Sequence, residues 1–310
     1  MSRTVGSILA DELRRSEVGN LTHSALIVGT MAVLTAVLGA LLGGTGGVVL
    51  VLALGMAFLF VGPRSSGSFL LRMQGAVPLP PRVAPELTDL LDILARRAGL
   101  PRRPRLYRIP APAVTAFAVG TRENAAIGVT DGLLRTLNLR ELAGVLAHEV
   151  SHIRRNDLRV LGLGAFMGQV THLMSLVGQL LVILNLPLLL MGEVTISWLA
   201  ILLLILAPTL SGLLQLALSR TREYDADLGA VRLTGDPQGL ASALSKLERF
   251  NRRLLGRVLL PGRRLPEPFL LRTHPRTEER IQRLLRLEGR QSPRPYGHSI
   301  GPRWYLQTSS

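Results

Sequence analysis

Leu142-Ala143-Gly144-Val145-Leu146-Ala147-His148-Glu149-Val150-Ser151-His152-Ile153-Arg154-Arg155-Asn156 is the stretch around which this 310-residue chain is organised. Residues four apart share a helix face, so His148 and His152 stand one turn apart, where two imidazoles can grip one metal ion. Glu149 lies about a quarter turn away, within reach of a water beside such an ion without ligating it. The stretch opens like a helix: Asn138 can cap, and Glu141 sits at the third helical position. Leu142, Val145, Leu146, Val150 and Ile153 supply an apolar arc. H-E-x-x-H also arises by chance on ordinary amphipathic helices, so the rest of the chain decides.

The composition narrows the choice. Hydrophobic residues make up 47% of the chain and aromatics only 4%, and the apolar excess gathers in two blocks. The net charge of +15 is nearly all arginine, since Lys246 is the one lysine. So basic a chain suits nucleic acid or an anionic membrane surface. Long apolar spans favour the membrane, and no nucleic-acid partner is expected. With no cysteine present, disulfides and thiolate metal sites are excluded, and a metal must be held by histidine and carboxylate.

Residues 1–20 are polar and mixed in charge, without the basic segment and cleavage site of a secretory signal. Ser24 to Leu42 carries no charge, and a second apolar run, Val48 to Val61, follows Gly43-Gly44-Thr45-Gly46-Gly47. A bilayer core of about 30 Å needs roughly 20 helical residues, which the first run meets and the second meets with its glycines. Arg64 begins a soluble stretch. Pro85 to Ala98 reads as an amphipathic helix, followed by strands at Arg105–Ile109, Val114–Val119 and Ala125–Thr130, the last two joined as a hairpin through Gly120 to Asn124. Asp131 opens a helical turn leading to the His148 helix. Two further apolar spans, Leu173–Met191 and Thr195–Leu218, are separated by Glu193. Helices are then expected over Ser219–Leu233, from Asp236 and Pro237 to about Leu255, and over Pro275–Leu287, before a Pro/Gly/Ser-rich tail.

A catalytic zinc usually takes three protein ligands. The best third candidate is Glu223 in Arg222-Glu223-Tyr224-Asp225-Ala226-Asp227. Asp227, four residues on, shares its face and can accept a hydrogen bond from the far nitrogen of a ligand histidine. Two carboxylates at this spacing commonly mark only a solvated face, but beside H-E-x-x-H the pattern is far more specific.

With these motifs in place, the chain resembles the HtpX family of integral-membrane zinc metallopeptidases, relatives of the CAAX prenyl endoprotease. The resemblance covers nearly everything from Ser24 to Leu287. It implies zinc, one ion per chain, on His148, His152 and Glu223, with Asp227 behind a ligand and Glu149 as general base. The family's H-P-x-x-x-x-R falls on His274, Pro275 and Arg280, which implies that His274 or Arg280 stabilises the oxyanion. A histidine before a helix-opening proline can equally be a plain cap. Substrate is expected to lie along the edge strand Thr115-Ala116-Phe117-Ala118, where the family often has Asn at the position of Thr115.

The expected fold is a mainly α membrane protein: two transmembrane helical hairpins plus a zincin-like α+β metallopeptidase domain with a small sheet. The boundaries are an N-terminal segment 1–20, hairpin 21–63, first catalytic part 64–158, hairpin 159–218, second catalytic part 219–290 and tail 291–310. The expected activity is zinc-dependent endoproteolysis of membrane-protein or peptide substrates, in quality control of misfolded membrane proteins. A processing protease of the prenyl-protein or peptide-maturation type and a non-catalytic scaffold with a relict site are the alternatives. Arginines at positions 14, 15, 64, 72, 154, 155, 159, 220 and 222 all lie on one side of the spans. The positive-inside rule then places the catalytic region in the cytoplasm of a bacterial or archaeal cell, with the bilayer as partner.

Overall fold

A computed structural model of the chain describes residues 5–192, 197–258 and 277–288. It divides into an apolar unit, residues 1–62 and 160–221, and a second unit, residues 63–159 and 222–310.

Among the described residues, three helices are long and apolar enough to cross a membrane: Gly19–Phe60, Asp157–Leu184 and Trp198–Thr234. The first belongs to helix α1 (Val5–Met73), broken at Gly43 (φ −141°, ψ 16°) and Gly44 (φ 57°, ψ −140°). Only glycine adopts the Gly44 conformation without penalty. A Cβ on Gly39 would lie 2.8 Å from the carbonyl oxygen of Gly47. These residues would stand about 12 Å apart along an unbroken helix, so the chain doubles back at the glycines, as expected. Helix formation reaches further at both ends than the polar composition of residues 5–20 and 64–73 suggested.

The second apolar pair is α5 (Asp157–Leu184) and α7 (Trp198–Thr234), with the short α6 (Leu186–Leu190) between them. Glu193 lies outside the described residues. Close approaches of Gly164 to Leu218, Gly168 to Gln215 and Gly178 to Leu204 align α5 and α7 antiparallel. Pro208 sits inside α7 and has no N–H to offer the Leu204 carbonyl one turn back. Gln179 Nε2 donates to that carbonyl at 3.1 Å, and Ser175 Oγ donates to it as well. Many large apolar side chains, among them Leu173, Leu184, Leu199 and Leu213, face outward, which is stable only against lipid. The protein is thus a mainly α membrane protein.

In the second unit, strands β1 (Val77–Pro78), β2 (Arg105–Ile109), β3 (Ala116–Val119) and β4 (Ala126–Thr130) form one sheet in the order β1-β2-β4-β3. β2 and β4 run parallel; β3 and β4 form the expected antiparallel hairpin, which leaves β3 at an edge. β3 starts one residue later than Thr115, because Thr130 takes both backbone groups of Thr115: its Oγ1 accepts from the Thr115 amide, and its amide donates to the Thr115 carbonyl, each at 3.1 Å. α2 (Pro85–Arg97) and α3 (Asp131–Thr136) complete the run up to the central helix. Thr130, rather than Asp131, caps α3; Asp131 instead receives the Arg108 guanidinium at 2.5 and 2.9 Å.

The central helix, α4 (Leu139–Arg155), starts with a reciprocal cap: Asn138 Oδ1 accepts from the Glu141 amide and Glu141 Oε2 from the Asn138 amide, both at 2.9 Å. Glu141 is also held by Lys246 and Ser242 of α8 (Pro237–Val258). Burial opposes its ionisation, yet these donors hold its carboxyl below the usual range. A Cβ on Gly144 would lie 2.9 Å from the Leu240 Cα, so α4 and α8 touch nearly backbone to backbone. A shared core joins Leu87, Leu91 and Leu94, the sheet's Ile127 and Val129, the α4 residues Leu142, Leu146, Val150 and Ile153, and Leu284 of α9 (Thr277–Glu288).

Candidate metal centre

The inner face of α4 carries His148, Glu149 and His152, all buried, at 7%, 9% and 6% exposure. α7 crosses α4 closely because Gly229 has no side chain where Ser151 lies; a Cβ there would meet the Ser151 Oγ at 2.5 Å. Glu223 is thereby brought to the two histidines. The sequence suggested a separate helix from Ser219, but α7 continues unbroken from the apolar span to Thr234. The change at Ser219 is one of surroundings, since Arg220 to Leu228 contains neither glycine nor proline.

The Nε2 atoms of His148 and His152 face each other at 3.2 Å. Glu223 Oε2 lies 3.4 Å from the first and its Oε1 3.7 Å from the second. Ligands held about 2.0–2.1 Å from a tetrahedral zinc stand roughly 3.3 Å apart, so the donor set fits that ion in chemistry and spacing. Both far nitrogens are engaged by carboxylates at 3.0 Å: His148 Nδ1 by Asp227 Oδ1, and His152 Nδ1 by Asp157 Oδ2. In the neutral imidazoles that pairing leaves each Nε2 lone pair aimed at the shared point.

Arg280 is buried, donating from Nε and Nη2 to Asp227, each at 2.7 Å, and its Nη1 makes an ion pair with Glu223 Oε2 at 2.8 Å. Burial weakens its basicity, but Asp227, Glu223 and Glu149 more than restore it, and Arg280 stays charged. The sequence names His274 or Arg280 as the oxyanion partner; the Arg280 guanidinium pairs here with Asp227 and Glu223. Burial also opposes charge on His148, yet the Asp227 and Glu223 carboxylates outweigh it and its pKa is pushed up to about 10.

The edge strand β3 packs beside α4, with Ala118 turned into the core and Ala116 and Phe117 half-buried. His274 and Pro275 lie outside the described residues. Two residues the sequence reading did not find, Asp157 and Arg222, stand next to His152, with Arg222 Nη1 2.9 Å from Asp157 Oδ1. Asp157 could not be read from helix periodicity, because Asn156 is left-handed (φ 56°) and turns the chain between His152 and Asp157.

Membrane-crossing helices joined to a domain that buries an H-E-x-x-H helix against a carboxylate-bearing helix are the build of a membrane metallopeptidase. The profile of Peptidase family M48 matches residues 81–288, and the chain belongs to that family. A protease HtpX homolog of Salinibacter ruber is 36% identical over 283 residues, spanning 87% of this chain and 99% of the relative. One of Acaryochloris marina is 38% identical over 297 residues, spanning 88% and 93%. Among solved structures, S. mikatae Ste24p aligns with 88% of this chain and 66% of its own, at 21% identity and a TM-score of 0.44; this chain spans about two thirds of its length.

Proposed function

We propose that the protein is a zinc-dependent endopeptidase, with one ion per chain held by His148, His152 and Glu223. The observation that carries the reading is the facing pair of Nε2 atoms, 3.2 Å apart, with Glu223 beside both. When bound, zinc supplies the Lewis acidity that makes a water nucleophilic at neutral pH. Glu149, the next residue round the helix from His148, takes a proton from that water and hands it to the leaving amine nitrogen. Asp227 fixes the His148 ring, and Arg280 fixes Asp227 and Glu223. His274 is the proposed oxyanion donor, a role supported by the His-Pro-x-x-x-x-Arg pattern at positions 274–280; His274→Ala should lower kcat while leaving zinc content unchanged.

Substrate pairs in extended form with β3, the sheet edge beside α4. Such pairing reads backbone more than side chains, which suits removal of misfolded membrane proteins; the arginines flanking the apolar spans support a cytoplasmic catalytic unit. The test of this biological role is to trap substrates in membranes with Glu149→Gln. Recovery of many unrelated damaged membrane proteins supports quality control, whereas one dominant partner supports a dedicated processing role.

A further inference from the structure

We infer that Asp157 and Arg222 form a positioning pair for His152, matching the Asp227–Arg280 pair behind His148. The inference rests on the reading of His152 as a zinc ligand.

Asp157 is wholly buried (0% exposed), and Arg222 is 5% exposed. A buried carboxylate is costly unless its oxygens are filled. One oxygen of Asp157 receives His152 Nδ1 at 3.0 Å, and the other receives Arg222 Nη1 at 2.9 Å. The metal-side atoms of His152 take no part in this contact. The carboxylate therefore holds the ring's tautomer and angle while leaving Nε2 to the ion.

The backbone is arranged for this contact. Asn156 closes α4 in the left-handed conformation, and α5 begins at Asp157, so a residue five positions after His152 returns beneath its ring. Arg222 and Glu223 are neighbours on α7, pointing about 100° apart. One turn of that helix thus supplies both the third metal-site carboxylate and the cation that holds Asp157. Arg155 adds a parallel tie, with Nη2 2.6 Å from Asp225 Oδ2 on the same turn of α7. Each site histidine is consequently backed by a carboxylate and each carboxylate by an arginine: His148–Asp227–Arg280 and His152–Asp157–Arg222.

The test uses the full-length protein in detergent. Zinc affinity is measured by chelator competition, and ligand geometry by the visible absorption of the Co2+-substituted protein. His152→Ala should lose zinc altogether. Asp157→Asn, which keeps the shape but not the charge, and Asp157→Ala should weaken zinc binding by about 10- to 100-fold and shift the Co2+ bands. Arg222→Ala should weaken binding likewise, and Arg222→Lys should restore most of the loss. Should Asp157→Ala not fold, Asp157→Asn and the Arg222 pair carry the result. Wild-type affinity and an unshifted Co2+ spectrum in Asp157→Asn, alongside zinc loss in His152→Ala, overturn the positioning role alone. Full zinc in His152→Ala overturns the ligand assignment and the positioning role with it.

Discussion

Arg280 grips Asp227 as a fork, Nε to Oδ2 and Nη2 to Oδ1, each at 2.7 Å. Its third nitrogen reaches Glu223 Oε2 at 2.8 Å, so one guanidinium steadies two carboxylates of the metal site. Removing it leaves both buried without that partner. Arg280→Ala should therefore destabilise the protein by about 3–5 kcal/mol, and Arg280→Lys by less, since a point charge cannot reproduce the fork. Melting temperatures of the purified variants check this; an Arg280→Ala protein as stable as wild type would contradict it.

Zinc binding should weaken on acidification. His148 holds its proton up to about pH 10, and a metal ion must displace it. One displaced proton corresponds to about a tenfold loss of apparent affinity per pH unit across neutrality. For the metal-free protein the sign is also set. The folded pKa lies above the ordinary value of 6.5, so this histidine's contribution to stability is full below pH 6.5 and is lost as pH rises through 10. Chelator competition between pH 6 and 8.5 tests the first statement, and metal-free melting curves up to pH 10.5 test the second. Affinity that rises as pH falls would refute the linkage.

The α4–α8 contact depends on Gly144. With the Leu240 Cα only 2.9 Å from where a Cβ would stand, Gly144→Ala forces the helices apart. A loss of roughly 1–3 kcal/mol is expected, as for other overpacked cores. The shift also moves the H-E-x-x-H helix, so zinc occupancy should fall with stability. Unchanged thermal melting would show that the contact yields more easily than its backbone character implies.

The arginines flanking the apolar spans predict that the C-terminus is cytoplasmic. Fusion at Ser310 of a fluorescent protein should give signal, and fusion there of alkaline phosphatase should not. An active phosphatase would reverse the topology.

Much of this was legible in the residues. Helical spacing puts His148 and His152 on one face and Glu223 and Asp227 on another, the family resemblance brings the two pairs to one metal, and the cap formed by Asn138 and Glu141 follows the expected pattern. Other features depend on backbone events that periodicity does not report. Asp157 reaches His152 only because Asn156 is left-handed. Hydropathy changes sharply at Ser219 although α7 does not stop there, so a change of solvent mimics an element boundary. β1 is two residues long and exists through its pairing with Tyr107 and Arg108, too short for any alternation to show. Arg280 was found by its motif, but its role depends on where Asp227 and Glu223 stand.

The most direct test of the central claim is casein cleavage by purified Glu149→Gln protein whose zinc content has been measured. If Glu149 is the general base and not a ligand, as proposed, one zinc per chain should remain while cleavage falls by about 10²- to 10⁴-fold, the usual worth of a general base. Zinc-loaded Glu149→Gln protein that cuts casein at the wild-type rate would contradict the account.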